Sequence, residues 1–549
     1  MNLRLICLLG LYLLLTSAAL GEERPAGGFP YLDPTGVRGA LVIVGGGAIP
    51  DSVRTRFVEL AGGKSAKIVV IPTASETAEA TLADAEKKEQ LLTAWKTGGA
   101  ADVQALHTRL HDDANKDEFV APLKAATGVW FGGGDQTKIA EAYLGTAVER
   151  EILAVLARGG VVGGTSAGAA IQSKVMIAGG QTEPRMGTGL DLLPGAIIDQ
   201  HFLARKRHDR LAAAVAKHAE CVGFGIDEGT ALIVRGRQLQ ALGNSTVTVV
   251  LAASNGRPLR ELELKSGERH DLTMLRRAAL ERSLANFPPT ELPQPKVESG
   301  SLVIVGGGGM PEDVTRKFIE LAGGPDSLIV VLPIAGEPPA RGGNATPKAG
   351  GGEGRLFERY GAKNVKSLPA RTRAEVESPE FVAALKEAKG VWFGGGRQWR
   401  FVDAYMGTQA EELFRDVLKR GGVIGGSSAG ASIQSQYMPR GSPLGNTDVM
   451  ADGYERGLGF LPGAAVDQHF TQRGRQPDMT LIMRRYPQIL GIGIDEATAI
   501  IVRGATAEIA GRNNVQFYDY KSGPPVEQPD YTQLKPGQKY DLVARKVIE

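Results

Sequence analysis

Two glycine-rich turns in the sequence each carry a serine at the same place. The first is GGVVGGTSAGAA (159–170), and the second is GGVIGGSSAGAS (421–432). Both fit the pattern G-x-S-x-G, in which a serine lies on a tight turn between a strand and a helix and its hydroxyl projects above the sheet. Such a serine attacks carbonyl groups once a base removes its proton. The pattern predicts nucleophiles at Ser166 and Ser428, and a turn that serves packing only is the alternative.

The base predicted for each serine is a histidine in a repeated DQHF segment. The sequence holds seven histidines, and His469 is the only one in the second copy. His201 occupies the matching position in the first copy. If both copies pair a serine with a base, these are the two histidines that fit. A structural histidine beside a phenylalanine is the alternative interpretation.

A carboxylate is expected to orient each histidine. The motif GIDE supplies Asp227 and Glu228 in the first copy and Asp495 and Glu496 in the second. Successive side chains of a strand point to opposite faces, so only one carboxylate of each pair can reach its histidine, and the pattern leaves both open. The chain order is serine, histidine, acid, whereas α/β-hydrolases place the acid before the histidine. The α/β-hydrolase fold is therefore disfavoured.

The serine turns belong to a longer unit that occurs twice. LVIVGGG, GVWFGGG, the serine turn, DQHF and GIDE recur in the same order. The histidine and the glutamate of GIDE are 27 residues apart in both copies, but the serine and the histidine are 35 apart in the first and 41 apart in the second. We therefore predict two domains, at 37–278 and 299–546, joined by a proline-containing linker at 279–298.

Short apolar segments alternate with amphipathic ones in each unit, which predicts buried parallel strands alternating with helices. The predicted strands include ALVIVGG, KIVVIPT, GVWFGG and GGVVGG, and the predicted helices include PDSVRTRFVELAGG and TAVEREILAVLARGG. The expected fold is α/β, with two tandem three-layer αβα sandwiches whose sheets are mostly parallel. The segments TVTVVLAA and VQFYDY follow GIDE and alternate more strongly, so they are expected to add an antiparallel edge.

The segment VIVGGGAIP looks like a dinucleotide-binding turn at first sight. Pro50 stands where that motif needs a third small residue, as Pro311 does in the second copy. Because proline blocks the close backbone approach that the motif requires, nucleotide binding is disfavoured. We interpret the segment as a tight turn at the carboxyl edge of the sheet. The sequence has no histidine and cysteine cluster at metal-ligand spacing, so neither a metal nor another cofactor is expected.

Composition and the first residues indicate where the protein works. The 549-residue chain has a net charge of +2 and no long basic block, which argues against nucleic-acid binding. Its start, MNLRLICLLGLYLLLTSAALGEE, is typical of a secretory signal peptide at 1–21, with an uncleaved anchor as the alternative. Export to the periplasm or the medium is predicted, without membrane attachment after cleavage. Removal of Cys7 with the signal leaves Cys221 without a disulfide partner.

The segments FGGGDQ, GGTSAGAA, DQHFLARKRHDRL and GIDEGTAL together resemble the cyanophycinases of serine peptidase family S51, which also contains aspartyl dipeptidases. The resemblance covers nearly all of each unit. It implies a flavodoxin-like fold of the class I glutamine amidotransferase type. It also implies that Ser166 is the nucleophile, His201 the base and Glu228, rather than Asp227, the orienting acid.

The resemblance assigns further residues around the two sites. The triad implied for the second unit is Ser428, His469 and Glu496. The oxyanion hole implied for the first unit consists of Gly133, Gly134 and the backbone N–H of Ala167. The substrate-binding residues implied for the first unit are Gln136, Asp199, Gln200, Arg205, Arg207 and Arg210. Those implied for the second unit are Gln398, Asp467, Gln468, Arg473 and Arg475.

The substrate implied by the resemblance is cyanophycin, a polyaspartate backbone with an arginine attached to each side chain. An acidic group for its guanidinium and arginines for its carboxylates suit such a polymer. The expected reaction is hydrolysis of a cyanophycin-like (β-Asp-Arg) or related aspartyl or isopeptide bond through an acyl-enzyme. An aspartyl dipeptidase and a peptide-binding module with one or both units inactive are the alternatives.

The second unit departs from the first at two charged positions. Arg397 replaces Asp135, and Asp478 stands where Arg210 stands. These reversals leave the substrate preference and the activity of the second unit open, although its serine, histidine and glutamate are retained. The duplication also predicts that the two units pack like the halves of a dimer.

Overall fold

A computed structural model describes residues 29–254, 256–284, 289, 291–337, 352–526 and 528–549. The predicted signal peptide and part of the predicted linker lie outside these residues. None of the helices within them is long and apolar enough to cross a membrane.

The first unit begins with a large sheet in which five strands are parallel. The strands of this unit are β1 (Val37–Val44), β2 (Lys67–Ile71), β3 (Asp102–Ala105), β4 (Gly128–Phe131), β5 (Val161–Thr165), β6 (Val175–Gly179), β7 (Arg185–Thr188), β8 (Ala196–Gln200), β9 (Val222–Ile226), β10 (Thr230–Gly236), β11 (Gln238–Gly243), β12 (Thr246–Leu251), β13 (Arg260–Lys265) and β14 (Arg269–Asp271). The large sheet has the order β3-β2-β4-β5-β1-β10-β11-β14. The first five of these strands are parallel, and β10, β11 and β14 form an antiparallel edge beside β1.

Helices cover both faces of this sheet. They are α1 (Asp51–Leu60), α2 (Ala78–Ala83), α3 (Ala85–Lys96), α4 (Asp117–Ala125), α5 (Gln136–Tyr143), α6 (Ala147–Ala157), α7 (Ala167–Ala170), α8 (His208–Lys217) and α9 (Leu272–Ser283). Side chains of β1 alternate between the two faces: Val42 packs with Phe57 of α1, and Ile43 packs with Ile152 of α6. The fully buried parallel strands explain why the sequence shows continuous apolar segments, and the predicted three-layer α/β fold is confirmed.

A second sheet, with the order β13-β12-β9-β8, is a feature that the sequence did not predict. Its strand β12 is the segment TVTVVLAA, which was expected at an antiparallel edge; that edge is formed instead by β10, β11 and β14. One face of the second sheet contributes Ile198 and Phe224 to the main core. The other face packs Ile197 against Leu211 of α8. The alternating pattern thus belongs to a sheet that packs against the main core on one face and against α8 on the other.

The second unit repeats this architecture. Its strands are β15 (Val297–Val305), β16 (Ile329–Leu332), β17 (Val365–Ser367), β18 (Gly390–Phe393), β19 (Val423–Ser427), β20 (Ser435–Tyr437), β21 (Leu461–Gln468), β22 (Leu490–Ile494), β23 (Thr498–Gly504), β24 (Thr506–Gly511), β25 (Val515–Asp519), β26 (Thr532–Leu534), β27 (Lys539–Asp541) and β28 (Lys546–Ile548). Its helices are α10 (Glu312–Leu321), α11 (Gly352–Arg359), α12 (Arg373–Val376), α13 (Pro379–Glu387), α14 (Trp399–Tyr405), α15 (Gln409–Lys419), α16 (Ala429–Ser432) and α17 (Gln476–Arg485). The sheet orders are β17-β16-β18-β19-β15-β23-β24-β27-β28 and β20-β21-β22-β25-β26. The segment VQFYDY forms β25, so it too belongs to the second sheet.

Helix α9 packs against both units. Leu275 and Ala278 belong to the main core of the first unit. Met274 belongs to the main core of the second unit, and Leu280 packs against that core. The helix continues past the predicted domain end at 278, and β15 begins at Val297.

The longer interval between serine and histidine in the second unit forms a loop, residues 438–456, that contacts the first unit. Tyr454 accepts a hydrogen bond from Arg237 at 2.9 Å and donates one to Asp403 at 2.8 Å. Arg237 also donates to Asp403 at 2.6 Å. Arg456 donates to Glu281 of α9 at 2.9 Å. The extra residues therefore extend the contact between the two units.

Candidate active site

The carboxyl end of β1 contacts the three segments that carry Ser166, His201 and Glu228 in the first unit. The backbone oxygen of Val44 accepts a hydrogen bond from the N–H of Ser166 at 3.0 Å, and that of Gly45 accepts one from the N–H of His201 at 2.6 Å. The backbone oxygen of Gly46 accepts a hydrogen bond at 2.9 Å from the N–H of Gly229, which follows Glu228. One turn of the main chain thereby fixes Ser166, His201 and the segment that carries Glu228 relative to one another.

Ser166 lies on a strained turn between β5 and α7. Its φ is 53° and its ψ is −108°, a conformation that costs an L-residue roughly 1–3 kcal/mol. The turn has room only for glycine on either side: a Cβ on Gly164 or on Gly168 would stand 2.3 Å from a backbone oxygen. The helix that follows, α7, has only four residues, so the dipole of a long helix does not act on this serine.

A chain of hydrogen bonds links Ser166, His201 and Glu228. Nε2 of His201 lies 2.9 Å from Oγ of Ser166, and Nδ1 of His201 lies 2.5 Å from Oε1 of Glu228. His201 is buried, whereas the Glu228 carboxylate is partly exposed. This is the arrangement in which an imidazole takes a proton from a serine while a carboxylate fixes its tautomer.

Asp227, the other carboxylate of the GIDE motif, faces away from the histidine. It accepts hydrogen bonds from the N–H groups of Leu203 and Ala204 at 3.1 and 3.0 Å and from the hydroxyl of Ser245 at 2.8 Å. Burial works to raise the pKa of Asp227, but these hydrogen bonds outweigh it and hold the pKa below its usual value. Asp227 therefore shapes the turn after His201.

The glycine turn that follows β1 has a role that sequence reasoning missed. A Cβ on Gly46, whose φ is +115°, would stand 2.3 Å from Cε1 of His201, and a Cβ on Gly47 would stand 3.0 Å from the side chain of Glu228. The histidine ring therefore lies directly over the backbone of this turn. The signal available in the sequence was the run of three glycines that precedes Pro50 and recurs before Pro311.

The turn after β4 carries the implied oxyanion hole. It is fixed by two hydrogen bonds, from the N–H of Gly132 to Ile71 at 3.0 Å and from the N–H of Asp135 to Ala74 at 2.9 Å. A Cβ on Gly133 would stand 3.5 Å from Cβ of Ser166, so this residue lies beside the nucleophile. Within the described part of the chain, no group accepts a hydrogen bond from the N–H of Gly133. This N–H is thus available to an oxyanion.

The other two residues of the implied hole are also on these turns. Gly134, with a φ of +140°, has no room for a side chain, because a Cβ would stand 2.1 Å from the backbone oxygen of Ala74. Ala167 is the first residue of α7, so its N–H has no partner inside the helix.

An arginine that the sequence analysis did not single out supports this turn. Arg109 donates to the backbone oxygens of Thr73 and Ser75, in the loop against which the Gly132–Gly134 turn lies. Arg371 does the same in the second unit, with hydrogen bonds to Ile334 at 2.6 Å and Gly336 at 3.1 Å.

The charged residues implied to bind substrate in the first unit are largely engaged with one another. Asp199 is fully buried and receives hydrogen bonds from Arg210, whose guanidinium also donates to Gly180 at 2.7 Å. Burial raises the pKa of Asp199, which the Arg210 guanidinium counteracts. Arg207 donates to the backbone and side-chain oxygens of Gln200. These four residues form a network beneath the turn that follows His201.

Two other implied residues lie apart from this network. Gln136 is buried and donates to the backbone oxygen of Ile177 at 2.8 Å, so it fastens β6 to the start of α5. Arg205 has an exposed side chain, and its N–H closes the turn onto the backbone oxygen of His201 at 3.0 Å.

The second unit contains the same triad geometry. Oγ of Ser428 lies 2.9 Å from Nε2 of His469, and Nδ1 of His469 lies 2.5 Å from Oε1 of Glu496. Ser428 has a φ of 56° and a ψ of −112°. Asp495 accepts from the N–H of Thr471 at 2.9 Å, as Asp227 does from its own turn. Burial lowers the pKa of His469.

The charge reversal at Asp478 is compensated within the second unit. Asp467 is buried like Asp199, and its carboxylate receives hydrogen bonds from Arg475 at 2.6 Å and from Arg440 at 3.2 Å. Arg440 comes from the loop at 438–456 and also pairs with Asp478. An arginine from a different element therefore supplies the cation that Arg210 supplies in the first unit.

The second reversal has a structural explanation as well. Arg397 donates to the backbone oxygens of Ser442 and Gly445 at 2.7 and 3.0 Å, so it holds the loop at 438–456. Asp135 in the first unit is exposed and caps α5 by accepting the N–H of Thr137 at 2.8 Å.

The remaining implied residues of the second unit occupy positions like those of the first. Gln398 donates to Pro439 and Arg440 at 2.8 and 2.9 Å, Arg475 donates to the backbone of Gln468 at 2.7 Å, and Arg473 is exposed. Among the described residues, no three histidine, cysteine, aspartate or glutamate side chains are grouped so that they could hold a metal ion.

The fold and the two sites define a class of protein: a serine hydrolase built on tandem α/β units. Comparison with known proteins gives the family. The model of peptidase family S51 matches residues 41–242 and 295–510, and the chain belongs to this family. The predicted family and the prediction of a serine peptidase are thereby confirmed.

Similar curated proteins are cyanophycinases. The chain is 37% identical over 232 residues to the cyanophycinase of a Nostoc species, covering 40% of this chain and 75% of that protein. It is 30% identical over 226 residues to the cyanophycinase of Geminocystis herdmanii, covering 40% of this chain and 80% of that protein. Each of these relatives therefore matches a length close to that of one unit.

Solved structures that match the chain have low similarity. A peptidase from an acI-B1 Actinobacterium has a TM-score of 0.34 and 22% identity, covering 45% of this chain and 98% of its own. A putative peptidase E protein from Listeria monocytogenes has a TM-score of 0.28 and 21% identity, covering 38% of this chain and 99% of its own.

Proposed function

We propose that this family S51 peptidase is an exported enzyme that hydrolyses cyanophycin or a related aspartyl polymer through an acyl-enzyme on Ser166. The hydrogen-bond chain from Ser166 through His201 to Glu228 carries the proposal. The cyanophycinase relatives support the choice of substrate, and the residues at 1–21 support export.

In the first step, Oγ of Ser166 attacks the carbonyl carbon of the scissile amide while Nε2 of His201 takes the hydroxyl proton. Glu228 accepts the Nδ1–H and stabilises the imidazolium that forms. The carbonyl oxygen becomes an oxyanion, which the backbone N–H groups of Gly133 and Ala167 stabilise. Each such donor is worth about 10²–10³ in kcat.

The tetrahedral intermediate then collapses. His201 returns its proton to the amide nitrogen, the C–N bond breaks, and the amine product leaves. Water attacks the resulting ester with His201 again acting as the base, and the second collapse restores the Ser166 hydroxyl and releases a carboxylic acid. Both halves use the same three side chains, and water is the second substrate.

Charged groups of the substrate need partners other than Asp199 and Arg210. Asp199 and Arg210 bind each other, so we assign substrate contacts to two exposed groups. Arg205 lies on the turn after His201 and suits a substrate carboxylate. Asp135 lies two residues after Gly133 and suits the arginine guanidinium of the polymer. Arg397 at the matching position of the second unit repels that guanidinium.

The test is release of β-aspartyl-arginine from cyanophycin by the chain without residues 1–21. We expect the wild-type protein to release it and Ser166→Ala to lose about 10⁶-fold in kcat. Ser428→Ala serves as the matched control, because it removes the same oxygen from the second unit. Loss in Ser428→Ala only would reassign the active unit.

Two further outcomes concern the substrate and the reaction. If the wild-type protein releases nothing from cyanophycin but cleaves aspartyl dipeptides, the enzyme is an aspartyl dipeptidase. If neither serine reacts with a fluorophosphonate, the acyl-enzyme mechanism is refuted and a binding role remains.

A further inference from the structure

A glutamate from helix α11 lies in the second active site and has no counterpart in the first. The N–H of Gly395 donates to Oε1 of Glu353 at 3.2 Å. Oε2 of Glu353 lies 2.7 Å from the point where a Cβ on Gly394 would stand. The carboxylate therefore rests on the glycine turn that follows β18.

That turn is the oxyanion turn of the second unit. GVWFGGG at 390–396 corresponds to GVWFGGG at 128–134, so Gly395 corresponds to Gly133. A Cβ on Gly395 would stand 3.7 Å from Cβ of Ser428, close to the 3.5 Å found between Gly133 and Ser166. The N–H that should stabilise an oxyanion at Ser428 thus donates to Glu353.

The first unit places a leucine where the second has this glutamate. Three aromatic rings pack together in each unit, Phe57, Trp95 and Trp130 in the first and Phe318, Phe357 and Trp392 in the second. Trp95 and Phe357 therefore correspond. Four residues before them stand Leu91 and Glu353. Leu91 packs against an apolar cluster, and the nearest atoms to a Cβ on Gly132 are backbone atoms of residues 71 and 72.

We propose that Glu353 occupies the oxyanion hole of the second unit and suppresses acylation of Ser428, so that the first unit carries the turnover. The inference rests on the proposed acyl-enzyme mechanism. The carboxylate oxygen accepts the hydrogen bond that the oxyanion requires, and its negative charge repels the charge that develops there. Occupation of the hole also obstructs the carbonyl oxygen of a bound substrate.

The burial and the hydrogen-bond partners of Glu353 are consistent with a carboxylate that occupies the oxyanion hole. Burial raises its pKa, and interactions with the N–H of Gly395 and with the side chain of Trp392 oppose that shift. In the described residues, no lysine or arginine forms an ion pair with it. Its carboxylate is thus held by the turn of the active site and by Trp392 of the preceding strand.

The test uses the full mature chain with Ser166→Ala, in which Ser428 is the remaining predicted nucleophile. The rate of fluorophosphonate labelling at Ser428 is measured by mass spectrometry with Glu353 intact and with Glu353→Leu, which restores the residue type of the first unit. We expect labelling to accelerate about tenfold or more, since one oxyanion donor is worth about 10²–10³. Glu358→Ala, an exposed glutamate of the same helix, is the matched control and should leave the rate unchanged.

Glu353→Gln provides a second variant of nearly the same size, so that the result does not depend on how well leucine packs. It removes the charge, and we expect faster labelling than with the glutamate. Unchanged or slower labelling in both variants, with circular dichroism like that of the parent, overturns the inference. Labelling of Ser166 in the wild-type chain tests the proposed function separately: if Ser166 reacts and Glu353 has no influence on Ser428, only the inference fails.

Discussion

The close approach of the His201 ring to the backbone of Gly46 predicts the effect of a single added methyl group. In Gly46→Ala the new Cβ would stand 2.3 Å from Cε1 and 2.5 Å from Nε2 of His201. Since ordinary contacts of a Cβ begin at 3.4 Å, the ring must move by about 1 Å. A displacement of that size breaks the hydrogen bond to Ser166, and a misplacement of about 1 Å costs about 10²-fold in rate. The left-handed φ of +115° adds roughly 1–3 kcal/mol of strain.

The assay separates the clash from the strain. Hydrolysis and fluorophosphonate labelling of Ser166 are compared in a Ser428→Ala background for Gly46→Ala and for Gly159→Ala. Gly159 also has a left-handed φ, +90°, but its Cβ would meet nothing within 4 Å. We expect both variants to melt at lower temperature and only Gly46→Ala to lose about 10²-fold in labelling rate. A Gly46→Ala protein that folds and is labelled within threefold of its parent would refute the position assigned to His201.

Three other perturbations have defined outcomes. Glu228→Gln should lower kcat by about 10⁴-fold because the histidine loses its orienting acceptor, whereas Asp227→Asn should mainly lower the melting temperature; equal losses of activity would contradict the assignment. Arg210→Ala removes the closest cation of buried Asp199 and leaves it only the longer contact to Arg207 at 3.5 Å, so chemical denaturation should show a loss of up to about 3–5 kcal/mol, and a loss below 1 kcal/mol would contradict the pairing. Burial raises the pKa of the Cys221 thiol to about 12, so at pH 8 this thiol should react with a disulfide reagent only after unfolding, and rapid reaction of the native protein would argue against its burial.

The sequence predicted those parts of the site that depend on local motifs. Ser166, His201 and the two carboxylates of GIDE each lie where a strand ends or a turn begins, and β1 gathers these ends at one edge of the sheet. The motif left Asp227 and Glu228 open, and only the family resemblance favoured Glu228. Strand ends are recognisable from a short apolar segment followed by glycine or a polar residue. The same local reading predicted the three-layer arrangement.

Other features depend on contacts between distant segments, which local patterns do not contain. The alternation of TVTVVLAA indicates one buried face but not which sheet receives it. Asp478 was interpreted as a charge reversal without compensation, because the compensating Arg440 lies in a loop 38 residues away. Glu353 lies in a helix that carries no recognisable motif, and only its contact with Gly395 indicates a role in the second site. Such roles become visible only after folding brings these segments together.

Helix α9 has a consequence for how this chain can be divided. Its Met274 and Leu280 serve the core of the second unit, while Leu275 and Ala278 serve the core of the first. In a fragment that stops at residue 284, Met274 and Leu280 would be exposed to water as an apolar stripe. A fragment that starts at residue 291 would lack these two side chains from its core. Expression of either half by itself should therefore give aggregation-prone material, and heat should melt the intact chain as one cooperative body.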